Sequence, residues 1–211
     1  MPYTFAMPKI VDPEERRREI TRAVFRLVER SGIEAATLRN IADEAGLAIG
    51  SVRHYFTNHA AVMDFAMREL TEQTSRRVLA HVDRITKDTS PHDRRLLAES
   101  ILAEFLPLDD QRRTETRAWL DFLTAARTRP ELRSHAERLH NGLRTVVRRL
   151  LGRAMDGGTI SADLDIELET ERLAALLDGL TTAMVLPPAI LDADTALRVL
   201  RRHLDELTAT R

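Results

Sequence analysis

The chain has 211 residues, 43% of them hydrophobic and 31% charged, with a formal net charge of −1 and no cysteine. This is enough apolar content for a small and a larger folded unit, while the missing thiols exclude disulfides, a thiolate nucleophile and zinc–thiolate sites. No run approaches the roughly 18 apolar residues of a membrane span, and the first residues lack a signal-peptide core, so a cytoplasmic protein is expected.

In chain order, residues 1–11 read as a flexible arm. Asp12-Pro13-Glu14-Glu15 is a helix start, with an acidic cap, proline at the first position and Glu15 placed to close a capping box. This first helix runs to Ser31-Gly32 and should bury Ile20, Val24, Leu27 and Val28. Arg18, Arg22, Arg26 and Arg30 follow at steps of four. They form either a ridge facing phosphates or a solvated face paired with Glu14, Glu19 and Glu29.

The stretch from Thr37 to Phe56 carries most information. Leu38, Ile41, Ala42 and Ala45 make the apolar stripe of a short helix, with Thr37 as its cap and Gly46 in the left-handed conformation at its end. A second short helix begins two residues later. Val52 and Phe56 face inward, and Ser51, Arg53, His54 and Tyr55 face largely outward. Two helices hinged at a glycine, the second polar-tipped, have the form of a helix-turn-helix reader of the DNA major groove.

Asn58 caps a fourth helix reaching about Lys87, with Val62, Phe65, Ala66, Leu70, Val78, Val82 and Ile85 on its core side. At ~1.5 Å per residue it spans on the order of 40 Å, long enough to touch two domains. Ser90-Pro91-His92-Asp93 opens a fifth helix that ends near Leu106-Pro107, and a sixth covers about Gln111 to Arg127. Pro130 introduces a seventh, with Leu139, Leu143, Val146, Val147, Leu150, Leu151 and Met155 on one face, stopped by Gly157-Gly158. Ile160 and Leu164 anchor the following loop. Asp165 caps the eighth helix, Pro187-Pro188 ends it, and Asp192 starts the last.

Gly50-Ser-Val-Arg-His-Tyr-Phe56, followed by Asn58, resembles the N-terminal DNA-binding region of TetR-family transcriptional repressors. The arginine before His-Tyr-Phe is similar to the choline-responsive betaine-pathway branch. So, more loosely, are Asp-Gly-Gly-Thr-Ile-Ser-Ala-Asp-Leu-Asp165 and Ala-Ala-Leu-Leu-Asp-Gly-Leu180. The resemblance implies an all-α, nine-helix, two-domain architecture. Residues 12–58 would be the DNA-binding domain, with the helix-turn-helix at about 37–56, and 59–211 a helical ligand-binding and dimerisation domain.

Carried over residue by residue, the resemblance assigns DNA contacts to Thr37, Arg39, Gly50, Ser51, Arg53, His54, Tyr55 and His59. Arg39 would pair with guanine O6 and N7, as a guanidinium does well. Arg53 stands where the family usually has tyrosine. Ser51 and Tyr55 would donate to phosphate oxygens. The family commonly has serine where Ala48 stands and lysine where His59 stands. Residues 12–60 are electrically balanced, with eight arginines (16, 17, 18, 22, 26, 30, 39, 53) against eight acids (12, 14, 15, 19, 29, 34, 43, 44). Attraction to DNA must therefore come from placement rather than sum.

Expected partners are an operator duplex, a second copy of the chain and a small-molecule effector that is hydrophobic or an organic cation. Phe65, Met67, Phe105, Trp119, Phe122, Leu123, Leu143 and Met184 are the candidate cavity lining, with Glu104 or Asp121 as carboxylates beside the rings. Leu173, Leu177, Leu180, Met184, Leu197, Leu200 and Leu204 are the candidate dimer face of the last two helices. No cofactor or metal is expected: the sequence has no phosphate-cradling glycine loop, no His-Glu-x-x-His and no G-x-S-x-G. His135 and His140 read as surface or boundary residues. The competing reading is a helical adaptor that binds protein and not DNA, supported by the balanced N-terminal charge.

Overall fold

The computed structural model describes residues 12–82, 90–186 and 190–209, and the expectations for the arm 1–11, for Ile85 to Lys87 and for Pro187-Pro188 lie outside them. Nine α-helices and a 3-10 turn make up the described residues: α1 (Pro13–Ser31), the turn Ile33–Ala35, α2 (Leu38–Ala45), α3 (Ile49–Tyr55), α4 (His59–Val82), α5 (Pro91–Ala103), α6 (Asp110–Ala126), α7 (Pro130–Asp156), α8 (Ile166–Val185) and α9 (Ala193–Ala209). None of these helices is long and apolar enough to cross a membrane. The fold is all-α, as the sequence indicates.

Local chemistry sets the helix starts. Side chains of Asp12, Thr37, Asn58, Ser90, Asp109, Asp165 and Asp192 each accept a hydrogen bond from a backbone N–H two or three residues on. Each satisfies a donor that the first helical turn leaves free. Gly46 ends α2 with φ 66°, a left-handed conformation that costs glycine nothing. Glu15 does not lean back to its helix cap; it pairs with Arg22 at 2.6 Å.

Two apolar cores result. The first gathers Ile20, Val24, Val28, Ile41, Ala42, Val52, Phe56, Val62, Ala66 and Leu70 from α1–α4. It also takes Ala118, Phe122 and Ala126 from α6 and Leu132 from α7, so the helix-turn-helix unit is seated on the later helices. Glu29 of α1 accepts from Arg117 at 2.6 Å and from Thr114 at 2.8 Å, and Arg129 pairs with Glu34. The second core is built from α5 to α9, including Leu102, Leu143, Val147, Leu151, Ile160, Leu173, Leu177 and Leu200.

That second core corrects the expected dimer face. Leu173, Leu177, Leu180, Met184, Leu200 and Leu204 are buried inside the protomer, and Leu197 is half-buried against the same core. The stripe of α8 is consumed chiefly by α7 and that of α9 by α5, and the two helices also pack on each other. The histidine expectation is corrected as well. His135 is 5% exposed and its Nε2 lies 2.8 Å from a carboxylate oxygen of Asp64 on α4, whereas His140 is exposed.

Candidate nucleic-acid interface

The outer face of α2 and α3 is the candidate reader. Ile41, Ala42, Val52 and Phe56 anchor the two helices in the first core, which leaves Thr37, Arg39, Gly50, Ser51, Arg53 and His54 exposed. Tyr55, expected to face outward, is half-buried: its ring packs on the core and meets His54 edge-on at 5.1 Å. His59, in the first turn of α4, is half-buried too. The Thr37 hydroxyl accepts from the Asn40 N–H at 3.2 Å, and the Asn40 amide donates to the Ala35 carbonyl at 2.8 Å, fixing the entry to α2. α3 begins at Ala48 with no side-chain cap.

Charge placement separates the arginines of this unit. Arg16, Arg17, Arg18, Arg22, Arg26 and Arg30 all lie on α1 and all pair with glutamates. The partners of the ridge differ from the expected ones. Arg18 and Arg22 share Glu15, while Arg26 and Arg30 both reach across to Glu44 of α2 at 2.8 Å. Those two guanidiniums hold the Glu44 carboxyl below its ordinary pKa. Glu14 and Glu19 pair instead with Arg17 and Arg16, and Glu29 with Arg117.

Arg39 and Arg53 are the exception. Among the described residues neither has a carboxylate or hydrogen-bond partner, and both are exposed on the reader face. The neutral total therefore conceals two unpaired positive charges on the surface shaped to enter a groove. A Cβ added at Gly50 would meet nothing within 4 Å, so the protein's own packing does not require glycine there.

Two family models match the chain. One, described as bacterial regulatory proteins of the tetR family, matches residues 20–64; the other, the C-terminal domain of BetI-type transcriptional repressors, matches residues 94–209. The chain belongs to the TetR family. It is a helix-turn-helix transcriptional regulator with a BetI-type C-terminal domain, from a family that is not enzymatic. The regulator PksA of Bacillus subtilis is 32% identical to this TetR-family chain over 201 residues, covering 95% of it and 94% of the relative. BetI of Burkholderia mallei is 30% identical over 215 residues, covering 97% and 100%. A transcriptional regulator from Saccharomonospora viridis, solved in complex with choline, has the same fold with a TM-score of 0.74, 22% identity and coverage of 92% and 95%.

Behind the reader, α4 to α8 of this TetR-family protein enclose a cavity of about 320 Å3. Phe105, Trp119, Leu123 and Leu143 line it, with Leu123 42% exposed. The other expected lining residues do not. Phe65 stacks edge-on against Phe56 at 5.5 Å, next to the reader. Met67 and Phe122 are interior to the first core and Met184 to the second, because tight packing already uses those side chains. Asp121 is not in the wall; Glu104 is.

Sequence reasoning missed most of the cavity's polar residues, because their helices approach only in three dimensions. Arg77 of α4 donates to Glu104 and to Glu115 of α6, each at 3.1 Å. Arg112 adds a second contact to Glu104 at 3.2 Å, and His81 Nε2 lies 2.9 Å from the other oxygen of Glu104. The two glutamates are thus already matched by two arginines. Asp178 of α8 also lines the cavity. Burial raises its carboxyl above the ordinary aspartate pKa, although Arg144 and His140 oppose the shift.

Proposed function

We propose that the protein is a repressor that binds a palindromic operator as a homodimer and is released by a small organic cation. Support for the DNA arm comes from one observation above others: the only two unpaired arginines of residues 12–59 stand on adjacent reader helices. A reader of seven to eight residues per helix contacts few base pairs, and two half-sites one turn apart supply the rest. Leu168, Leu186 and Ile190 are exposed apolar residues on α8 and just beyond it, and a twofold mate would cover them. The domain roles follow: residues 12–58 read DNA, and 59–211 bind effector and partner.

The effector arm rests on the cavity's aromatic and acidic wall, and on the choline found in the Saccharomonospora viridis regulator of the same fold. A cation favours ring faces and carboxylates. Because Arg77 already occupies Glu104 and Glu115, an incoming cation competes with Arg77 for them or takes Asp178. Arg77 belongs to α4, whose first turn follows the reader directly, so displacing it alters the seat of the reader. Full reversal of a 1:99 population needs ~5.5 kcal/mol of preference, and a partial shift needs less.

Footprinting on the DNA upstream of the protein's own gene, with and without choline, tests both arms. Protection of two half-sites about ten base pairs apart, lifted by choline, is expected. Absence of any protected site at low salt would overturn the palindromic-operator reading for that DNA. Protection that choline leaves intact would remove the cationic effector alone.

A further inference from the structure

A second cavity of about 320 Å3 lies between α4, α5 and α7, sharing Thr74, Phe105, Leu139 and Leu143 with the first as a common wall. Its chemistry is different. Val78, Val82, Ile101, Val146 and Leu150 make it apolar, and Leu79 at its edge is 56% exposed. The hydroxyls of Thr71, Thr74 and Ser75 are spent on the carbonyls of Met67, Leu70 and Thr71, so they add little polarity. No carboxylate lines it. The charged lining is Arg149 and Arg153, one helical turn apart on α7 and exposed, and neither has a hydrogen-bond or ion-pair partner among the described residues.

We infer that this cavity binds a single-chain amphipathic anion, its tail among the valines and leucines and its carboxylate or phosphate head on Arg149 and Arg153. An apolar enclosure with a few convergent polar groups is the usual form of a small-molecule site, and this volume lies within the usual range. Two guanidiniums at i and i+4 present adjacent forks to one planar or tetrahedral anion. The site is separate from the cationic effector proposed for the neighbouring cavity and does not depend on it.

Titration calorimetry of the full chain with decanoate and with decyl phosphate tests the inference. Saturable one-to-one binding is expected, with the tighter of the two naming the head group. Arg149→Gln with Arg153→Gln should weaken the tighter anion at least tenfold while leaving decan-1-ol, which has the tail alone, unchanged. Gly142 lines the cavity and has open space around its missing Cβ, so Gly142→Leu fills the room with a better helix former and should abolish binding of anion and alcohol alike. No saturable anion binding, or equal affinity in wild type and the double arginine variant, overturns the proposal. So does undiminished binding by a folded Gly142→Leu protein.

Discussion

Arg39 and Arg53 are held by no carboxylate, while the six arginines of α1 are each pinned to a glutamate. A guanidinium that keeps its five donors free can form a two-pronged contact with a guanine edge without first breaking an internal pair. Arg39→Ala is therefore expected to cost roughly 1–3 kcal/mol at one base pair and to relax specificity there. Binding measured across an operator library checks this; uniform weakening over all sequences would assign Arg39 to phosphate instead. Gly50 separates folding from function. Its missing Cβ faces open space, so Gly50→Ala should leave the melting temperature unchanged or raise stability by up to about 1 kcal/mol. Operator affinity should nevertheless fall at least several-fold, because the added methyl stands where the duplex must approach. Unchanged affinity would show that α3 does not come that close.

Among the elements, α4 is tied to its surroundings at several levels. Asp64 holds His135 of α7 near the reader end, Glu69 lies 3.9 Å from the Arg18 guanidinium of α1, and Arg77 joins α4 to α5 and α6 around the cavity. Since α1 is also fastened to α6 through Glu29, the reader cannot follow α4 alone; α6 must yield with it. The buried histidine predicts a pH response. Burial, with the Arg138 guanidinium on its Nδ1 side, lowers the His135 pKa below 6.5, against the opposing pull of Asp64. The folded state then binds fewer protons than the unfolded one as pH falls through the ordinary histidine range. Stability should drop there, continuing until the depressed folded value is passed. His203, lowered by burial on α9, acts in the same direction. Melting temperatures followed from pH 7.5 to 5 should decline, and His135→Gln should flatten part of that decline. An unaltered profile would leave the decline to other groups.

At the scale of the whole molecule, a net charge of −1 sets how the protein meets DNA. Long-range attraction is weak, and contact depends on a few positive side chains per protomer. If a dimer neutralises about four phosphates, affinity should fall on the order of a hundredfold between about 50 and 200 mM salt, a shallower slope than that of strongly basic readers. Gel-shift titrations at several salt concentrations measure the slope. Salt-independent binding would contradict a phosphate-anchored reader.

Much of this molecule was legible in the sequence because the signals act over three or four residues. Thr37, Asn58, Asp165 and Asp192 cap helices whatever else surrounds them, and Gly46 turns the chain by its own backbone freedom. The run through His54-Tyr55-Phe56 likewise carried the family. Periodicity could say that α8 and α9 each have an apolar stripe. It could not say that the stripes meet α7, α5 and each other inside the same chain. The same gap hid His135 in the interior, gave Arg26 and Arg30 to Glu44, and brought Arg77, Glu104 and Glu115 together at a cavity. A stripe or a charge fixes what a helix face needs, and only the packing of distant helices decides which neighbour supplies it.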